Sequence, residues 1–211
     1  MKFLTTSFVF ALFCISTHVK SNDNKDKILS NDSVIVQTIS KKEYFASKNY
    51  NLQHTVTQDI HKENNVYCLN VGKTQITLKD TLEEDDSLYK KYQFLGYYES
   101  VNLLCFTVYE YETSTTLLVN ALTGDMLEIF GVPIFSPKGN FIINASQILN
   151  YDQIPNIIQI WHIENNVIKL FTEYQPEEWI PEGFKWINDF SFVFTKKYEN
   201  NTEKYSKVTI R

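Results

Sequence analysis

The chain predicts an all-β protein, an antiparallel meander folded either as propeller-like blades or as two packed sheets. Three observations carry that prediction. The segment Thr115–Ile143 reads as strand, tight turn, strand, Pro, short strand, tight turn, strand, with Leu122-Thr123-Gly124-Asp125 and Ser136-Pro137-Lys138-Gly139 as the turns. Proline holds φ at about −65° and glycine permits φ above zero, so each tetrapeptide can reverse the chain. The composition is rich in Tyr (13) and Phe (15), residues that suit a pleated sheet better than a helix. Short apolar runs then follow one another from Tyr89 to the C terminus with little between them but turn residues.

Taken in order, residues 1–16, MKFLTTSFVFALFCIS, carry one Lys at position 2, an apolar core from Phe8 to Ile15, and small residues at Cys14 and Ser16. That is the pattern of an export signal. A membrane anchor needs about 20 apolar residues, and this core is far shorter. The expectation is a signal peptide cleaved after Ser16, with a site nearer Ser21 as second choice, no membrane span in the mature protein, and an exported product, periplasmic or extracellular. A buried N-terminal strand or helix is the rival reading. Lipidation at Cys14 is disfavoured by the bulky Phe13 before it. Residues 17–33 are polar and read as a flexible leader. Residues 34–211 then form a single all-β domain.

Within that domain Val34–Ile39 is a candidate first strand, and Ser40-Lys41-Lys42-Glu43 matches a capping box opening a short helix to about Ser47. Strands are expected near Tyr67–Val71 and Gln75–Lys79 with Gly72-Lys73 as the turn. Further strands are expected at Tyr92–Glu99, Leu103–Tyr111, Thr115–Ala121, Met126–Phe130, Ile134–Phe135, Phe141–Ala145, Ile157–Ile163, Val167–Tyr174, Phe184–Ile187, Ser191–Tyr198 and Tyr205–Ile210. Glu164-Asn165-Asn166 and Glu199-Asn200-Asn201-Thr202 suit tight hairpins because Asn tolerates the left-handed region. Phe190, Phe192 and Phe194 alternate with Ser191, Val193 and Thr195, which gives that strand one apolar face.

An internal echo runs through this half. Phe135-Ser136-Pro137-Lys138-Gly139-Asn140-Phe141 places an aromatic, a turn, and an aromatic six residues on. Trp186-Ile187-Asn188-Asp189-Phe190-Ser191-Phe192 repeats it about 51 positions later, and Tyr97-Tyr98-Glu99-Ser100-Val101-Asn102-Leu103-Leu104 resembles it about 38 positions earlier. The stretch Leu118–Asp125 followed by Pro133–Ile142 resembles a blade junction of the TolB-like and WD-repeat-like β-propellers, in which an S-P-x-G turn links the two inner strands of a blade. Gln159–Ile163 is similar to the third strand of such a blade. The resemblance covers residues 92–210 and implies a scaffold for binding, with no reaction attached to it.

Charge removes one class of partner. The formal net charge is −5, and the basic pairs Lys41-Lys42, Lys90-Lys91 and Lys196-Lys197 are isolated. Without a basic stripe, nucleic-acid binding lacks its main source of affinity. Cys68 and Cys105 lie in the apolar stretches VYCLNV and LLCFTV and are a candidate disulfide in an exported chain, against the alternative of two separate buried thiols.

Signals for chemistry are sparse. The chain has no G-x-S-x-G elbow, no H-E-x-x-H and no Walker loop. His54 and His61, with Asp59 and Glu63, have no recognised ligand spacing and read as surface side chains rather than a metal site. The run Glu83-Glu84-Asp85-Asp86 lacks the alternation and Gly of a calcium loop and reads as a solvated loop or a helix first turn. His162 and Trp161 are strand neighbours and must point to opposite faces. Trp186 is expected in the core. Trp179, in the proline-flanked loop Gln175–Glu182 with Glu177 and Glu178, is the candidate binding residue, because exposed aromatics on stiff loops make binding hot spots. Asn31-Asp32-Ser33, Asn144-Ala145-Ser146 and Asn200-Asn201-Thr202 are formal glycosylation acceptors. The functional expectation is an exported binding protein for a protein or other extracytoplasmic ligand, without cofactor and not an enzyme. The rivals are a small secreted enzyme using scattered carboxylates or His54/His61, and a structural envelope component.

Overall fold

The computed structural model describes residues 33–53, 60–82, 88–146 and 155–211. The signal peptide, all of the leader but Ser33, His54, Asp59 and the Glu83–Asp86 run lie outside them. The described chain forms β1 (Val34–Ile39), α1 (Lys41–Ala46), β2 (Lys62–Glu63), β3 (Val66–Val71), β4 (Thr74–Lys79), β5 (Lys90–Tyr98), β6 (Leu103–Glu110), β7 (Thr113–Asn120), β8 (Met126–Phe130) and β9 (Ile134–Phe135). It continues with β10 (Phe141–Ala145), β11 (Ile158–Glu164), β12 (Val167–Tyr174), β13 (Trp179–Asn188), β14 (Ser191–Tyr198) and β15 (Glu203–Ile210). These strands pair into four antiparallel sheets rather than two. Sheet 1 is β2-β3-β4, sheet 2 is β5-β6-β7-β8, sheet 3 is β9-β10-β11-β12, and sheet 4 is β13-β14-β15 closed by β1, so that the first strand of the chain pairs with the last.

Local chemistry explains the chain reversals. Ser40 Oγ accepts the Glu43 N–H at 3.2 Å, so the capping box opens α1 where the sequence placed it. Asn64-Asn65 and Asn165-Asn166 both hold positive φ at two successive positions, the requirement of a type I′ hairpin. Gly139 closes the Ser136–Gly139 turn with φ +77° and an N–H···O bond of 2.9 Å to Ser136. A side chain there would run into Val101 Cγ1 of the preceding sheet, so only glycine lets the two turns meet.

The sequence echo has a structural meaning. Its three copies are the turns between the first and second strands of sheets 2, 3 and 4. They touch in series at one end of the molecule. Val101 of the first packs on Gly139 of the second, and the Lys138 N–H of the second donates to the buried Asp189 Oδ1 of the third at 2.7 Å. Residues 50–52 run along the first strands of sheets 4 and 3. There the Tyr50 N–H donates to Trp186 O (2.9 Å) and the Leu52 N–H to Phe135 O (3.2 Å).

The core lies between successive sheets. Tyr67, Leu69, Phe106 and Val119 join sheets 1 and 2; Leu103, Cys105, Phe135 and Ile142 join sheets 2 and 3; Phe141, Ile160, Trp186 and Phe192 join sheets 3 and 4. At the junction of sheets 1 and 2 the buried Asp80 pairs with Lys62 (2.5 Å) and accepts the Tyr92 N–H (2.9 Å). The far face of sheet 4 is covered by α1, whose Tyr44 packs on Val193 and Tyr205. The far face of sheet 1 carries the exposed Cys68, Asn70, Gln75 and Thr77. Among the described residues, therefore, the stack ends in a helix on one side and a solvated polar face on the other.

Two expectations need correction. Gln175–Glu182 is not a loop throughout, because β13 begins at Trp179 and includes Pro181. Proline is tolerated there because β13 is an edge strand, where a missing N–H breaks no ladder bond. The register then shifts between Glu182 and Lys185 around Gly183, which holds φ +63°. Second, Cys68 and Cys105 are both free thiols. Cys68 sits on the exposed face of sheet 1, and Cys105 on the face of sheet 2 turned towards sheet 3. The intervening core of sheets 1 and 2 keeps them from pairing. Burial pushes the Cys105 thiol up, so it stays protonated.

Candidate functional site: a cavity between sheets 3 and 4

Strand alternation builds the site. On sheet 4 the residues facing sheet 3 are Val34, Val36 and Thr38 on β1, Ser206 and Val208 on β15, Phe192, Phe194 and Lys196 on β14, and Trp179 on β13. Opposite them stand Ile158 and Ile160 on β11 with Thr172 and Tyr174 on β12. Near β9 and β13 the two sheets are clamped by Trp186, whose Nε1–H donates to Ile134 O at 2.9 Å. Towards β12 and β1 a cavity of about 220 Å³ lies between them. Thr38 is exposed and Tyr174 half-buried, so the cavity opens on that side.

Its walls are aromatic and aliphatic. Trp179 lies between Tyr174 and Phe194, with ring centroids 5.7 and 5.8 Å away. Among the described residues lining it, the one cation is Lys196, only 8% exposed, with its Nζ 4.5 Å from the Trp179 ring centroid. An ammonium over an indole face is attracted by the ring's negative face, which offsets part of the cost of its burial. Thr38 and Ser206 are register partners on adjacent strands and bring two hydroxyls to the same wall. Glu173 also borders the cavity, but its carboxylate is turned to the other face of sheet 3, where Gln159 Nε2 donates to it at 3.2 Å. Asn156 fixes the approach to Trp179 by donating through Nδ2 to Pro176 O (2.8 Å) and Trp179 O (2.7 Å).

Trp179 thus belongs to the candidate site by a route the sequence reading did not foresee. It is 2% exposed and forms a cavity wall instead of an exposed hot spot. Glu177 and Glu178 are exposed on the preceding turn and do not line the cavity. Trp186 is fully buried, as expected. Trp161 and His162 do face opposite ways: the Trp161 Nε1–H donates to Asn144 Oδ1 on the sheet 2 side, while His162 packs on Phe141 at 4.9 Å. His61 and Glu63 are exposed, and among the described residues no group of three or more His, Cys, Asp or Glu could hold a metal ion. Asn144 is fully buried, so Asn144-Ala145-Ser146 is no acceptor in the folded protein. No helix of the described residues is long and apolar enough to cross a membrane.

Lys196, Thr38, Ser206 and Asn156 were missed by sequence reasoning. For Lys196 a signal existed. The alternation Phe192, Phe194 extended by one step puts Lys196 on the same apolar face. No family model matches this chain, and neither does any curated protein or solved structure.

Proposed function

We propose that this is a binding protein that works outside the cytoplasm and takes its ligand into the cavity between sheets 3 and 4. The observation that carries the reading is the wall itself. A largely apolar cavity with a few converging polar groups is the usual form of a small-molecule site. Here the apolar surface comes from Tyr174, Trp179, Phe194 and Ile160, and the polar groups are Lys196, Thr38, Thr172 and Ser206. The blade-like stacking of meander sheets supports a scaffold role, in line with the resemblance to TolB-like and WD-repeat-like propellers. Export is read from residues 1–16 alone.

The test is thermal unfolding in the presence of toluene or indole. A ligand that binds only the folded state raises the melting temperature with its concentration. Val36→Trp, which fills the cavity from β1, should keep the far-ultraviolet circular dichroism of the native sheets and lose the shift. An unchanged shift in Val36→Trp, or no shift in the native protein with either probe, overturns the assignment.

A further inference from the structure

We infer that the cavity between sheets 3 and 4 is selective for a single-ring aromatic carrying a neutral hydroxyl, which Ser206 receives, an inference that rests on the binding reading above. Size sets the first limit. An apolar cavity of about 150 Å³ accepts benzene, so one of about 220 Å³ takes a single ring with a short substituent. Shape sets the next. Tyr174, Trp179 and Phe194 present flat aromatic surfaces, against which a ring packs offset or edge-on.

Ser206 sets the substituent. On β15 it stands between Thr38 of β1 and Phe194 of β14, in register with both. It is 3% exposed and borders the cavity, yet its hydroxyl makes no hydrogen bond to another described residue. A hydroxyl so deeply buried is ordinarily bonded, because leaving it unpaired forfeits the hydration it had in the unfolded chain. A ligand group that donates to it or accepts from it restores that bond. Residues directly opposite on antiparallel strands have Cβ atoms about 4.5–5.5 Å apart, so a ring packed on Phe194 carries a short substituent within reach of Ser206. Thr38, on the other side of Ser206 and exposed, directs the polar end of the ligand towards the mouth. A hydroxyl fits there, since it can both donate and accept. A charged group fits less well, because a serine offers no counter-charge and Val36 and Val208 on the same wall raise the cost of burying an ion. Lys196, whose ammonium lies over Trp179, is left in that contact.

The experiment compares p-cresol, toluene and p-toluate by thermal shift and isothermal titration at neutral pH, with toluene as the probe of the cavity itself. p-Cresol should bind the native protein about fivefold more tightly than toluene, the worth of one net hydrogen bond, and p-toluate more weakly than p-cresol. In Ser206→Ala, toluene should keep its native affinity within about twofold. There p-cresol should bind no more tightly than toluene, since its hydroxyl is then buried without that partner. Ser206→Ala should also leave the melting temperature of the unliganded protein no lower than native, because it removes a hydroxyl that bonds nothing. Native protein that binds p-cresol no better than toluene overturns the hydroxyl assignment, while toluene binding leaves the cavity reading standing. Tighter binding of p-toluate than of p-cresol overturns the neutral group. A p-cresol preference that survives Ser206→Ala, or a clear fall in the melting temperature of that variant, overturns the role of Ser206. If no probe binds, toluene included, both readings fall together. If Ser206→Ala does not fold, the native-protein comparison of p-cresol and toluene decides.

Discussion

The interface between sheets 2 and 3 and the interface between sheets 3 and 4 share one plan and are filled differently. Between sheets 2 and 3 the buried cluster is mostly aliphatic, with Val101, Leu103, Leu118, Ile129 and Ile142 around Phe135. It is knitted by side-chain hydrogen bonds. Asn144 Nδ2 donates to Phe130 O (2.8 Å) and Gln159 Oε1 (3.0 Å), its Oδ1 accepts from Trp161, and Asn120 Nδ2 reaches Asn166 O (2.7 Å). Between sheets 3 and 4 the cluster holds Phe141, Trp179, Phe184, Trp186, Phe192 and Phe194. Here a cavity of about 220 Å³ remains beside these rings, with Lys196 in its wall. The same strand pattern thus yields an aliphatic, hydrogen-bonded interface in one place and a cavity lined by aromatic rings in the next.

The comparison can be broken most directly at the two tryptophans. Trp186→Ala should cost about 3–5 kcal/mol in urea unfolding, since it empties one end of the sheet 3–4 interface and removes the indole hydrogen bond to Ile134 O. Trp179→Ala should cost less, about 3 kcal/mol, because one side of Trp179 already borders open space. If Trp179→Ala costs as much as Trp186→Ala, the cavity is filled in solution and the contrast between the interfaces disappears.

Between sheets 2 and 3, Asn144→Ala removes three hydrogen bonds and leaves the Trp161 Nε1–H and Gln159 Oε1 without that partner. A loss of about 1–3 kcal/mol is expected in chemical denaturation. A value near zero would mean that the polar knit is incidental. A pair of enlargements sharpens the contrast further. Ile142→Phe, between sheets 2 and 3, should destabilise by about 1–3 kcal/mol. Val208→Ile, at the cavity wall, should be neutral or stabilising by about 0.5–2 kcal/mol as it fills space. Melting temperatures moving in the same direction would contradict the difference in packing. Smallest in energy is a labelling contrast. A thiol reagent should modify the exposed Cys68 in the native protein and reach the buried Cys105 only after denaturation, with peptide mass spectrometry locating each adduct.

Much of this fold was legible because its signals are local. The Ser40 cap, the Asn165-Asn166 hairpin and the Gly139 turn each depend on a few adjacent residues, and each falls where the sequence put it. The three turns of the echo were visible as a repeat because neighbouring sheets need the same turn at the same end. The site was far less legible. Phe190 looked like one of three apolar residues on a strand face, yet it sits in a turn and is half exposed, because the strand starts at Ser191. The proline pair around Trp179 looked like a stiff loop because the rule against proline in strands holds for central strands, and only the pairing of β13 on one side shows that it is an edge.

The sequence by itself determined the all-β class, the strand order along the chain and most of the turns, since these follow from periodicity and from the backbone preferences of Gly, Pro and Asn. Tertiary structure alone decided that the sheets number four, that β1 closes the last of them, that Cys68 and Cys105 lie on faces that cannot meet, and that Trp179, Lys196, Thr38 and Ser206 share one wall. The reason is range. Turn and strand preferences act over a few residues. The cavity joins residues as far apart as Val34 and Val208, through the stacking of sheets whose spacing depends on the size of every side chain between them.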